Sequence, residues 1–314
     1  MTQETESTED QASPGAQAST QASAYALGGE ERAAQLLARL QLEPIERDLF
    51  RGENETPRNA RLFGGQVLSQ ALRAAYATVT DPALAAHSLH GYFLRAGRHD
   101  RPVLYEVDRI RDGRSFATRR VVGIQKGEAI FSLSVSLHKP ELGFDHAVAM
   151  PNVPPPDALE NDDEVARELP EGLPGLSPWA RLPWPFIVRS VFRPGSEAFA
   201  EPRRFAPAWV RFRGELSDER ALHDALLAYA SDIGLVSTAA LPHLGTTDRS
   251  ALQMASLDHS LWLHRPFRVD EWLLFNRHTT SAVGARGLNH TEIFDQSGLL
   301  VASATQEGLL RPLA

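Results

Sequence analysis

Asp232, Ser256 and Gln306 are the residues whose types and placement most invite chemistry, because a pattern written twice along the chain carries these three polar groups only in its second copy. A carboxylate can take up a proton, and a hydroxyl and a primary amide can each donate and accept hydrogen bonds. Such a set suits proton transfer combined with hydrogen-bonded positioning. Taken singly, each has an ordinary reading too: an Asp after a helix as a solvated cap, a Ser in a strand as a surface residue, a Gln among small residues as a half-buried amide. The sequence has no Cys, which removes thiolate nucleophiles, disulfides and Cys metal sites together. Any nucleophile must be oxygen- or nitrogen-based.

The elements that must position the trio follow from the repeat. In the first half FGGQVLSQALRAAY reads as a glycine-started helix with Val67, Leu68, Ala71, Leu72 and Ala75 on one broad apolar face. HSLHGYFLRAG, RPVLYEVDRI, SFATRRVVGIQ and EAIFSLSVSLHKP then read as successive strands. Alternation is strict in the last of these: Ala129, Phe131, Leu133, Val135 and Leu137 form one face, with Ile130 among the serines on the other. Asp112-Gly113 and Lys126-Gly127 supply tight antiparallel turns.

In the second half AWVRFRGEL starts the copy as a strand and RALHDALLAYASD is the helix, with Leu222, Ala225, Leu226 and Tyr229 along one face. Ser217 reads as its N-cap, with Asp218 and Glu219 in the first turn. Gly234 ends or loosens the helix just after Asp232, which is expected at a helix end or kink. MASLDHSLWLHRPF, EWLLFNRHTT, ARGLNHTEIF and LLVASATQEGLL supply the strands. A turn at Asp295 to Gly298 sends the last one off with Leu300, Ala302, Ala304 and Gln306 on one face. That apolar face ends in an amide.

At 314 residues the chain is about twice the ~150 residues of a typical domain. The expected division is a disordered tail over 1–29, a first copy over 30–140, a connector over 141–205 and a second copy over 206–314. The tail is rich in Ser, Thr, Gln and Ala with no apolar periodicity. The connector is dense in Pro and acids and too long for a bare loop, so parts of it must pack on the sheets through Trp179, Trp184, Phe186 and Phe192. No apolar run approaches a bilayer span, and the net charge of −8 argues against generic nucleic-acid binding. The tail does not read as a secretory signal nor RPLA as a peroxisomal address, so the cytoplasm is the expected location.

Other candidates compete with the trio. His87, His90, His259 and His264 flank HSL strings in both copies, which points to a shared strand scaffold rather than a metal site. Ser115 in GRSFA follows a DG turn and enters a strand, whereas a hydrolase elbow needs a strand-to-helix turn. Arg265, Arg286 and Arg311 could meet phosphates. Asp258 and His259 are neighbours on a strand, so they point to opposite faces and do not pair.

FGGQV, YFLR, RDGRSF, LLAYASD, LDHSLWLHRPF, EWLL, SAVGARG and LVASATQEGL, in this order over roughly residues 34 to 312, resemble the acyl-CoA thioesterase II family. The resemblance implies an α+β double hotdog, two tandem hotdog folds each with an antiparallel sheet wrapped around a helix. It implies an acyl-CoA substrate, no metal or organic cofactor, and assembly into dimers or tetramers. The family's catalytic trio falls on Asp232, Ser256 and Gln306, with Ser256 where Thr is common in the family. Thioester hydrolysis would then use Asp232 to take a proton from a water held by Ser256 and Gln306, with a helix-end backbone N–H polarising the carbonyl. Two other readings differ in class. A hotdog enoyl-CoA hydratase needs an Asp and a nearby His, and Ser237 stands where that His would be; a pure acyl-CoA binding module has no use for an aligned water.

Overall fold

The structure is a computed structural model and describes residues 27–56, 61–170, 181–247 and 251–313. Of the expected disordered tail, residues 1–26 lie outside the described residues, and its last residue already begins helix α1 (Gly29–Arg39). Two short strands, β1 (Glu43–Glu46) and β2 (Leu49–Gly52), lead to α2 (Gly64–Ala77). Then come β3 (Ala85–Phe93), β4 (Val103–Asp112), β5 (Phe116–Gln125) and β6 (Glu128–His138). These are the elements expected of the first copy.

The helix α2 is buried on nearly every side because strands wrap it, and its polar residues are paired inside. Gln70 Nε2 donates to the carbonyls of Arg39 at 2.9 Å and Glu53 at 2.8 Å, while its oxygen receives the Tyr105 hydroxyl at 2.8 Å. Gln66 bonds Asn54 Oδ1 at 2.9 Å and accepts from Glu55 N at 3.1 Å. Buried amides of this kind are tolerated because their hydrogen bonds are made.

The stretch from 141 to 205 contains α3 (Asp162–Glu168), β7 (Phe186–Ser190) and α4 (Glu197–Ala200). It does pack on the sheet: β7 pairs with β8 (Phe205–Phe212), and Asp163 of α3 takes Arg213 at 3.0 Å. Trp209 donates its indole N–H to Pro154 O at 2.9 Å, inside a small cluster with Trp272, Leu274 and Phe294 that Met150, Val153 and Leu159 cover. Phe186 is an anchor as expected, Trp184 is a partly buried one, and Phe192 lies under the Arg203 guanidinium; Trp179 falls outside the described residues.

The second copy continues with α5 (Arg220–Ser231), α6 (Leu235–Thr238), β9 (Leu252–Ser256), β10 (Asp258–Leu263), β11 (Leu273–Val283), β12 (Arg286–Phe294) and β13 (Leu300–Pro312). Ser217 does not cap α5. Its side chain is exposed and Glu219 is the N-cap, because the acids intended for the first turn are drawn outward, Asp218 to Arg268 and Glu219 to Arg73 of α2. The stretch Arg220–His243 is long and apolar enough to cross a membrane by length and composition, although Arg220, Asp224 and Asp232 interrupt it. Most of it is buried, as a helix apolar all round must be when a sheet encloses it.

All pairings are antiparallel, in the order β1-β2-β4-β5-β6-β3-β10-β13-β12-β11-β8-β7, with β9 on β13. The two halves meet at β3 and β10, where Leu261 faces Leu89 and Trp262 faces Ser88. The repeated HSL strings thus pair with each other. Beneath this seam the two central helices pack together, joined by the Tyr76 hydroxyl on Asp224 Oδ2 at 2.5 Å. Burial pushes the Asp224 carboxyl up to about 6, against the pull of Arg220.

Gly64 and Gly65 let the N-terminus of α2 approach the C-terminus of α5. A Cβ on Gly65 would stand 2.6 Å from the Tyr229 carbonyl oxygen and collide with Phe63. Gly65→Ala is expected to lower stability by about 1–3 kcal/mol, the usual cost of overpacking. Thermal unfolding measures it, and an unchanged melting temperature would show that the helix ends can separate freely.

Candidate active site

Asp232 is the C-cap of α5, as the sequence led one to expect. Gly234 at φ 74° then turns the chain into α6. Arg277 of β11 pins this turn, donating Nη1 to Ile233 O at 2.9 Å and Nε to Ala206 O at 3.1 Å. A Cβ on Gly234 would lie 2.6 Å from Arg277 Nη1, so this position needs glycine for space as well as for its positive φ. A guanidinium at a helix C-terminus also opposes the negative end of the dipole.

The carboxylate of Asp232 is buried, and the other two members of the trio converge on it. Gln306 Nε2 donates to Asp232 Oδ1 at 2.6 Å, and the half-buried Ser256 hydroxyl lies 3.5 Å from the same oxygen, at the outer limit of a hydrogen bond. Ser256 ends β9 opposite Gly308 of β13. Asp232 Oδ2 faces the start of α2, 2.8 Å from where a Cβ on Gly64 would be. The carboxylate therefore sits against the positive end of the other copy's helix.

His259 completes the cluster, and the sequence reading treated it as scaffold. It is fully buried on β10, its Nδ1 3.0 Å from Gln306 Nε2 and 3.9 Å from Asp232 Oδ1. Its Nε2 is 2.9 Å from Ser231 Oγ, whose hydroxyl donates to Ala228 O at 2.9 Å. With that proton committed, Ser231 must accept from His259 Nε2–H. Nδ1 is then left to accept from Gln306, and the ring is neutral. Burial lowers the His259 pKa, with Asp232 pulling the other way, which agrees with this tautomer. One Gln306 amide group thus serves both Asp232 and His259.

A signal for His259 exists only in three dimensions. Its counterpart His87 bonds Ser136 at 2.8 Å and is half-buried, so the HSL repeat conceals a difference in environment. The remaining candidates go elsewhere. His90 bonds Ser260 at 3.0 Å and His264 bonds Ser303 at 2.9 Å. Asp258 accepts from Glu307 N at 2.6 Å and does not pair with His259, as expected. Ser115 lies in the turn between two strands, and Ser237 donates to Gly234 O at 2.8 Å. Arg265 bonds Leu300 O and Asp145, Arg286 pairs with Glu307 at 3.0 Å, and Arg311 is exposed. A cavity of about 270 Å³ begins beside the trio rather than at it, lined by Ile233, Gly234, Ser237, Thr238, Trp184 and Arg277 among others.

The family comparisons agree with this architecture. A family model described as acyl-CoA thioesterase matches residues 200–309, and one described as acyl-CoA thioesterase N-terminal domain matches residues 54–138. The chain is 38% identical over 297 residues to acyl-coenzyme A thioesterase 8 of Mus musculus, covering 91% of each. It is 36% identical over 282 residues to acyl-CoA thioesterase 2 of Haemophilus influenzae, covering 88% of this chain and 96% of that one. Among solved structures, acyl-CoA thioesterase II TesB2 from Mycobacterium marinum superposes with a TM-score of 0.74 at 40% identity, covering 89% of this chain and 99% of that one. The chain belongs to the acyl-CoA thioesterase family, and its fold is the double hotdog.

The buried neutral His259 has a consequence for pH. An unfolded chain protonates this ring near the ordinary His value of about 6.5, while the folded chain resists until lower pH. Its contribution to stability is therefore present above about 6.5 and lost as pH falls through the depressed folded value. His259→Gln should flatten the fall in melting temperature on acidification relative to the unaltered chain; parallel curves for the two proteins would contradict this.

Proposed function

We propose that the chain hydrolyses acyl-CoA thioesters to a fatty acid and CoA, using water activated by Asp232 and aligned by Gln306 and Ser256. The observation that carries the reading is the convergence of Gln306 Nε2 and Ser256 Oγ on one oxygen of a buried Asp carboxylate. The second carboxylate oxygen faces the first turn of α2, where the Gly64 and Gly65 N–H groups precede the first bond of the helix, Gln66 N to Phe63 O at 3.1 Å. A thioester carbonyl placed there would receive those N–H groups as charge develops on its oxygen.

Water attacks the carbonyl carbon while Asp232 takes its proton. The tetrahedral intermediate collapses with cleavage of the C–S bond, and the proton held on Asp232 goes to the departing CoA sulfur. The acyl chain can follow the cavity that begins at Ile233 and Gly234. Assembly into dimers or tetramers and a cytoplasmic location belong to the same proposal, supported by the family resemblance and by the absence of Cys respectively.

His259 near Asp232 at 3.9 Å gives some standing to the hydratase reading. Both ring nitrogens are already engaged, however, by Ser231 and Gln306, and the ring is fully buried. It has no free atom to offer a substrate. A shared panel of acyl-CoAs and enoyl-CoAs separates the possibilities: a hydrolase releases free thiol, a hydratase consumes the enoyl double bond without thiol, and a binding module does neither. Asp232→Asn should reduce thiol release at least ~100-fold, the lower range for a positioned general base, with little change in melting temperature. Gln306→Ala should do likewise in turnover, whereas a defect confined to KM would make it a substrate-binding residue.

A further inference from the structure

Asn289 is fully buried on β12, one strand from the site. It stands directly opposite Gln306 in the pairing with β13, and Thr279 of β11 stands opposite it on the other side. Directly opposed residues on antiparallel strands project from the same face, with Cβ atoms about 4.5–5.5 Å apart. His259, Gln306, Asn289 and Thr279 thus form a polar row across the inner face, under the turn that carries Asp232.

The two outer members of the row are settled. Thr279 donates to Leu288 O at 2.9 Å, and His259 is held by Ser231 and Gln306. The two inner members are not. Asn289 Nδ2, Asn289 Oδ1 and Gln306 Oε1 are all buried and have no hydrogen-bond partner among the described residues. Three such atoms on adjoining side chains, one of them in the trio, are a costly arrangement in a core that pairs its other buried amides, Gln66 and Gln70. They are also what a buried water requires, since such waters typically hold two to four polar partners.

We propose that Asn289 is a positioning residue of the hydrolytic site: with one buried water, it satisfies Gln306 Oε1 and steadies the amide whose Nε2 serves Asp232 and His259. The water accepts from Asn289 Nδ2–H and donates to Gln306 Oε1. The two ends of a Gln amide are nearly the same size, so packing alone does not choose between them. A flipped amide would turn its oxygen onto the Asp232 carboxylate and release the water-aligning geometry. Asp232 Oδ1 and His259 Nδ1, both acceptors, select the orientation that turns Nε2 toward them, and Asn289 with its water satisfies the Oε1 left on the far side and steadies the amide there. This inference rests on the reading of Gln306 as a site residue.

The test uses the full chain with butyryl-, decanoyl- and palmitoyl-CoA, detecting released thiol, together with high-resolution crystal structures. Asn289→Leu keeps the size and removes both polar atoms. It should fold with undiminished melting temperature and lose at least about tenfold in kcat with little change in KM, the pattern of a lost transition-state geometry. Asn289→Thr keeps a hydroxyl for the water and should retain more turnover than Asn289→Leu. The crystal of the unaltered chain should show a water bridging Asn289 and Gln306, lost in Asn289→Leu. Full kcat in Asn289→Leu, or equal losses in both variants, would overturn the proposal. If Asn289→Leu does not fold, Asn289→Thr with wild-type kcat and no bridging water in its crystal would overturn it. If the unaltered chain releases no thiol from any substrate, the hydrolase reading fails by itself, and the bridging water then decides the placement of Asn289.

Discussion

The close meeting of two helix ends, Gly64 and Gly65 of α2 against Tyr229 to Asp232 of α5, is the contact on which the rest of this structure depends. It is a backbone contact, since any side chain at Gly65 would enter the space of the Tyr229 carbonyl. The wrapping of each helix by its own half of the sheet and the β3–β10 seam bring the helices together; the glycines let their ends meet. Asp232 gains from this in electrostatic terms. A carboxylate at the C-terminus of its own helix is opposed by that dipole, and the positive end of the neighbouring helix faces it from across the junction. The polar trio comes from the second copy, and the first copy's helix supplies the N-terminus that faces it.

Around that junction the side chains form a hydrogen-bonded chain with one consistent set of proton positions. Ala228 O takes the Ser231 hydroxyl, Ser231 takes His259 Nε2–H, and His259 Nδ1 takes one Gln306 N–H while Asp232 takes the other. Each donor is committed by the one before it. Gln306 Oε1 is buried without a partner among the described residues, so the network is closed only with the proposed water bridge to Asn289. Here the chain ends in a carboxylate, the group that the proposed chemistry requires to be free of competing donors except those that align it.

Much of the fold was legible in the sequence because alternation and glycine placement report directly on local backbone. The inward faces follow the period-two pattern from Phe131 to Leu137 in β6 and from Ala302 to the amide of Gln306 in β13. Leu300, expected on that same face, instead packs on the small cluster of Trp209 and Phe294, because Val301 is the extra residue of a bulge. Ile130 shows the same limit. Placed on the outer face by alternation, it is buried, because it is the extra residue of a bulge between the Gly123–Phe131 and Ile124–Ala129 pairs. Ser217 failed as a cap for a similar reason: arginines distant in sequence, Arg268 and Arg73, compete for the neighbouring acids. The site was legible in part. Asp232 and Gln306 betrayed themselves by lacking counterparts in the first copy, whereas His259 hid behind a counterpart in His87. Asn289 acquires meaning only from the register that sets it opposite Gln306.

The central claim is that water, activated by Asp232, attacks the thioester directly, with no acyl group passing onto the protein. Single-turnover hydrolysis in heavy-oxygen-labelled water, followed by mass analysis of both fatty acid and protein, tests this most directly. Direct attack places the label in the fatty acid of the first turnover and leaves the protein unlabelled and unacylated. An unlabelled first-turnover fatty acid with label in the Asp232 peptide, or an acylated Ser256 peptide trapped on quenching, would contradict the account.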